Sequence, residues 1–216
     1  MYKRQLLASH AFETIAALHS IKGRVTKARN YYDKAHAIID AKNYKDRLPS
    51  LVSKISELYL MEGDYDQAMH YALKAKTLLK YSKSKIIYGR VNNVLGTLHT
   101  NLAQFDSAYY YNKKVFDYID EDDINKVNNA AINLSNTFRY LYDFDKASEY
   151  LELAFENTDK SRFPLNYAST ICMIGGMEKT KGNLLHAENK LSECISLLEN
   201  QDHNFRRLLE LSLIHI

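Results

Sequence analysis

Few residues in this sequence are spaced for chemistry. Eight histidines are present, but no H-E-x-x-H run sets two of them one helical turn apart, as a zinc hydrolase needs. No G-x-S-x-G elbow offers an activated serine. No G-x-x-x-x-G-K-[ST] or G-x-G-x-x-G loop offers backbone N–H groups to a phosphate. Gly175-Gly176 comes nearest to a phosphate loop, yet it lies inside a helical pattern where the first glycine serves close packing. Asp120-Glu121-Asp122-Asp123 lacks the ligand spacing and glycine turn of a calcium loop, and reads as a charged joint that caps the next helix. Cys172 and Cys194 lack the C-x-x-C spacing of a zinc site or a disulfide framework. They read as small packing residues, with a bridge or a reactive thiol as the alternative. No catalytic, cofactor-binding or metal-binding residue is assigned, and the expectation is a protein that is not an enzyme.

The elements that carry these groups are narrowed by composition. The chain has 216 residues, 46% of them hydrophobic and 25% charged, which is enough apolar surface for a continuous core and argues against disorder. Seven Gly and two Pro are few for a β-protein full of tight turns, whereas 17 Tyr and no Trp suit helix-on-helix packing. The longest apolar stretch without a charge, Leu165 to Met177 between Pro164 and Glu178, is shorter than the roughly 17–25 residues that span a bilayer.

Both ends look foreign. Met1-Tyr2-Lys3-Arg4-Gln5 and Leu211-Ser212-Leu213-Ile214-His215-Ile216 match, in opposite orientations, the translated transposase mosaic end used in DNA library preparation. Residues 1–5 and 211–216 are therefore expected to be adapter. The authentic protein then runs from about Leu6 to Glu210 inside a longer gene, with a signal peptide and compartment left unassigned. Removing Lys3 and Arg4 lowers the formal charge from +3 to +1, so the basic balance gives no argument for nucleic-acid binding. Cut solenoid ends lack polar caps, so soluble but aggregation-prone material is expected.

A short pattern recurs along the chain: a small residue, any residue, an aromatic or aliphatic one, two more, then Ala. It occurs at Gly23–Ala28, Gly63–Ala68, Ala103–Ala108, Asp143–Ala147 (preceded by Tyr142) and Gly182–Ala187, with starts at 23, 63, 103, 143 and 182 and intervals of 40, 40, 40 and 39. Such a period marks stacked supersecondary units that cannot bury their apolar faces singly. Val52, Ile55, Tyr59 and Met61 precede the second hexad at helical spacing, and Tyr65, Ala68, Ala72, Ala75 and Leu78 continue from it. Gly or Asp between the stripes supplies a helix stop and start, and Pro49 and Pro164 fall where first helices begin. His19 and His99 hold equivalent places, which indicates packing rather than metal binding.

On these residues the chain resembles the tetratricopeptide (TPR) family. The family sets a small residue of each first helix against an Ala of the second. Here those pairs are Ala16 with Ala28, Ser56 with Ala68, Gly96 with Ala108, Ser135 with Ala147, and Gly175 with Ala187. Ala35, Ala75, Val115, Ala154 and Cys194 match the family's other small place, and Tyr59, Phe138, Tyr65, Phe105 and Phe144 its aromatic places. The period exceeds the family's usual length of about 34 and resembles that of TPR scaffolds in cell-polarity adaptors and of bacterial TPR regulators, while the Tyr-, Lys- and Asn-rich composition is similar to regulators of the Bacteroidetes kind. The resemblance implies an all-α, right-handed α-solenoid of about five helix-turn-helix units, at approximately 6–44, 45–84, 85–123, 124–162 and 163–202. A truncated sixth unit would occupy 203–210.

It also implies a protein or peptide partner held by the first helices on a concave face. The matching places in the third and fourth units hold Arg90, Asn93, Thr97, Asn129, Asn133, Asn136 and Arg139. Asn both donates and accepts, and so can pair with a peptide backbone, while Arg can fork onto a carboxylate. In the first unit the places read Glu13 and Ala17, so the two-lysine, two-asparagine clamp of chaperone-binding relatives is not reproduced. The expected function is a peptide-binding scaffold with no cofactor, no direct nucleic-acid binding and no membrane span. The alternative is the sensory arm of a larger bacterial transcriptional regulator or histidine kinase.

Overall fold

The computed structural model of the chain describes residues 2–118 and 124–199. The acidic run at 120–123, the truncated unit at 203–210 and the terminal segment 211–216 lie outside the described residues. Among the described residues ten α-helices follow one another: α1 (Tyr2–Ile21), α2 (Val25–Ala41), α3 (Leu48–Glu62), α4 (Tyr65–Leu78), α5 (Lys85–Asn101), α6 (Phe105–Tyr118), α7 (Ile124–Tyr140), α8 (Phe144–Glu156), α9 (Pro164–Thr180) and α10 (Leu184–Glu199), with one 3-10 turn at Leu79–Tyr81. They form two compact units, the first holding α1 to α6 and the second α7 to α10. In the first, α1 packs on α2, α3 on α4 and α5 on α6, and α3 also meets α2 and α5. In the second, α7 packs on α8, α9 on α10, and α8 on α9.

One turn geometry closes all five hairpins. A residue with positive φ ends the first helix: Gly23 (65°), Gly63 (77°), Ala103 (55°), Tyr142 (61°) and Gly182 (85°). The next residue's N–H donates back to the carbonyl five positions earlier, as in Asp64 to Tyr59 (3.0 Å), Gln104 to His99 (2.8 Å) and Asp143 to Phe138 (3.0 Å). Asp64 and Asp143 then cap the second helix by accepting from the N–H groups of Gln67 and Lys146. The fourth turn therefore pivots on Tyr142, one residue before the start read from the hexad pattern. The true intervals are 40, 40, 39 and 40. A tyrosine in a left-handed conformation breaks the small-residue rule, so the pattern misplaced that start. Pro49 and Pro164 lie in the first turns of α3 and α9.

The small pairs form the seams. Ser56 Oγ donates to the Ala68 carbonyl (2.6 Å) and Ser135 Oγ to that of Ala147 (2.8 Å). Such bonds require near-touching backbones. At Gly96 an added Cβ would lie 1.9 Å from Asn112 Oδ1, and at Gly175 2.8 Å from Leu191 Cγ, so any larger residue there would require the facing side chain to shift. Ala35, Ala75, Val115, Ala154 and Cys194 are all buried. Aromatic stacks bind the first helix to the second in the first four hairpins: His19 on Tyr31, Tyr59 on Tyr71, His99 on Tyr111 and Phe138 on Tyr150, with interplanar angles of 5–12°. The two histidines thus act as stacking rings. Met61 and Tyr65 depart from the apolar stripe read for the second unit, and are exposed at the hairpin end.

Cys172 and Cys194 are joined in a disulfide, with their Cα atoms 5.4 Å apart. Both are buried, in the core shared by Ala168, Ile171 and Leu198. The expectation of small packing residues captured their burial and missed the bond. The spacing of 22 residues carries no motif, and only the hairpin brings α9 and α10 together.

Candidate peptide-binding faces

The first helices carry the predicted site residues in two sets. Arg90, Asn93 and Thr97 lie on α5 in the first unit, and Asn129, Asn133, Asn136 and Arg139 on α7 in the second. Asn129 is exposed and the other six are half-buried. Thr97 Oγ1 donates to the Asn93 carbonyl (3.0 Å), so its hydroxyl proton serves the helix itself. The Arg139 guanidinium lies 4.6 Å from the Tyr140 ring centroid, a cation–π contact that orients its fork.

Arg90 belongs to a charge ladder that sequence reasoning missed. Glu13 of α1 is only 5% exposed, and its carboxylate accepts from Arg47 (3.1 Å) and from Lys54 of α3 (2.7 Å). It is therefore a bolt between the first two hairpins, not an open groove residue. Burial raises the Glu57 carboxyl above its ordinary value, against the opposing pull of Arg90 and Lys54. Tyr32 of α2 faces the same cluster. Burial, then the Glu57 and Glu13 carboxylates, push its hydroxyl up to about 12, with Arg90 opposing. Arg47 and Lys54 thus pair with Glu13, while Arg90 opposes the shifts of Glu57 and Tyr32 through its charge. The signal in the sequence was the placing of Glu13, Lys54, Glu57 and Arg90 on successive first helices, but their pairing was not readable from it.

In the second unit the asparagines divide. Asn128 is fully buried, and its Nδ2 donates to the Ala154 carbonyl (2.9 Å) and the Thr170 hydroxyl (3.3 Å). It ties α7 to α8 and α9 and leaves Asn129, Asn133 and Asn136 as the residues turned toward solvent in whole or part.

No protein-family model matches the sequence, and no curated protein matches it. Solved structures do. The apo form of RapI is similar over 92% of this chain and 56% of its own, at 16% identity and a TM-score of 0.68. BtubC from P. vanneervenii is similar over 85% of this chain and 75% of its own, at 16% identity and a TM-score of 0.67. PilF of Pseudomonas aeruginosa is similar over 94% and 82%, at 13% identity and a TM-score of 0.60. The chain thus spans little more than half the length of RapI. These neighbours are TPR-type repeat proteins, and the likeness places this chain in the all-α, TPR-like solenoid class of folds. Among the described residues, no helix is long and apolar enough to cross a membrane.

Proposed function

We propose that the chain is a protein- or peptide-binding scaffold whose partner lies against the first helices. Arg90, Asn93 and Thr97 would contact it in the first unit, and Asn129, Asn133, Asn136 and Arg139 in the second. The observation that carries this reading is the half-buried polar groups that the first helices α5 and α7 each present. A half-buried guanidinium on such a helix can fork onto a carboxylate or a carbonyl of a partner. No catalysis, cofactor or nucleic-acid contact is assigned to the chain.

The test is capture of interacting protein from the source cells by the immobilised chain, with Arg90→Glu/Asn93→Ala and Asn136→Ala/Arg139→Glu variants run in parallel. A partner retained by the wild type and lost by either variant supports the reading. Equal retention by all three chains refutes it. The role as sensory arm of a larger regulator or kinase is compatible with the same binding face. Residues 1–5 and 211–216 remain proposed as adapter translation. Long-read sequencing outward from codons 6 and 210 tests both ideas, since these segments should be absent from the source gene and the frame should run on from residues 6 and 210 toward an effector domain.

A further inference from the structure

The repeat supplies an internal control for its own surface. The joint of the first two hairpins is closed by charge where α2 meets the end of α3: Arg29 pairs with Glu62, and its guanidinium lies 4.6 Å over the Tyr59 ring, with Asp33 one turn further along α2. The same three places in the joint between α4 and α6, forty residues on, are Met69, Leu102 and Leu73. Every charged group of the first joint is replaced by an apolar one in the second. The result is an open groove of about 690 Å³ lined by Met69, Leu73, Leu102, Tyr110 and Tyr111. Leu73 is 45% exposed and Tyr110 52%. A protein that could seal this joint as it seals the previous one exposes leucine there instead.

The groove also has electrical ends. Asp66 and Asp106 hold equivalent places in the first turns of α4 and α6, and Asp106 lines the groove. At the opposite end Lys76 donates to the Tyr111 hydroxyl (2.9 Å), and Lys114 lies over Tyr110, 4.3 Å from its ring centroid. One end is acidic and the other basic, along a trough bounded by parallel helices.

We propose that the α4–α6 groove seats an amphipathic helix of a partner protein, antiparallel to α4 and α6. Its apolar stripe covers Leu73, Leu102 and Tyr110. Its first turns carry carboxylates that meet Lys76 and Lys114, and its last turns carry cations that meet Asp106. That order also suits the seated helix's own dipole, with acids at its start and bases at its end. This surface is built from α4, α6 and the C-terminal end of α5 and goes beyond the first-helix faces proposed above, so variants at Arg90 and Asn93 should leave it unaltered.

Two synthetic peptides of about four helical turns test the idea by fluorescence anisotropy. Both carry one leucine stripe. One has Glu in its first two turns and Lys in its last two, and the other has these blocks exchanged. The first should bind the full chain roughly fivefold more tightly than the second, the size expected of a few exposed ion pairs. The combined substitution Met69→Arg, Leu73→Asp and Leu102→Glu copies the first joint's Arg29, Asp33 and Glu62. With circular dichroism showing it folded, this variant should bind neither peptide. If it does not fold, Leu73→Asp alone, at an exposed site, gives the same reading. Equal affinity for the two peptides overturns the proposal. So does no binding to the wild type up to about 1 mM, or undiminished binding by the folded variant.

Discussion

Glu57 is held at a cost. Its carboxyl is raised by burial, so between the ordinary carboxylate value and its folded value the folded chain holds more protons than the unfolded one. Stability from this group is therefore full at low pH and declines as pH rises through that window. Glu57→Gln removes the burden. The variant should melt at a higher temperature than wild type at pH 7, and the gap should close on acidification below the ordinary carboxylate range. A gap that is constant from pH 3 to pH 8 would show that desolvation of Glu57 is not the dominant cause. Glu13 is the opposite case, because Arg47 and Lys54 both compensate its burial. Its residue type and place were legible in the sequence. Its partners, 34 and 41 residues away, were not, because no periodicity states which charges meet.

At the scale of the element, each hairpin is closed by one left-handed residue and one seam of small side chains; the first four add an aromatic stack, and the α9–α10 hairpin has a covalent link instead. A disulfide closing a loop of this size removes denatured-state entropy worth about 2–4 kcal/mol. Reduction, or Cys172→Ala, should lower the melting temperature of the oxidised chain accordingly. Hydrogen exchange should show the loss first in α9 and α10. Identical melting curves with and without reductant would mean that the bridge contributes nothing to folding. The helix pairs themselves were legible, since the spacing of apolar residues and the glycine stops are local information. Tyr142 was not, because its turn imposes a conformation that the residue's own preferences oppose.

Over the whole molecule, repeats that touch only near neighbours should behave as a sum of local terms. Ala68→Leu forces an isopropyl group into a seam where Ser56 Oγ already lies 2.6 Å from the Ala68 carbonyl, and should cost about 1–3 kcal/mol. Combined with Cys172→Ala in the second compact unit, the two losses should add to within about 0.5 kcal/mol in denaturant titrations. A larger coupling would show that the array melts as one body. The sequence by itself determined the helix pairs, their period, the seams of small residues and the class of fold. Each of these follows from side-chain size and from spacing within about forty residues, repeated five times. Only the tertiary structure decided the Cys172–Cys194 bond, the ladder from Glu13 to Arg90, the burial of Asn128 and the open trough between α4 and α6. Those depend on which single side chains meet across packed helices, and three-dimensional proximity selects such partners where a repeating pattern treats every unit alike.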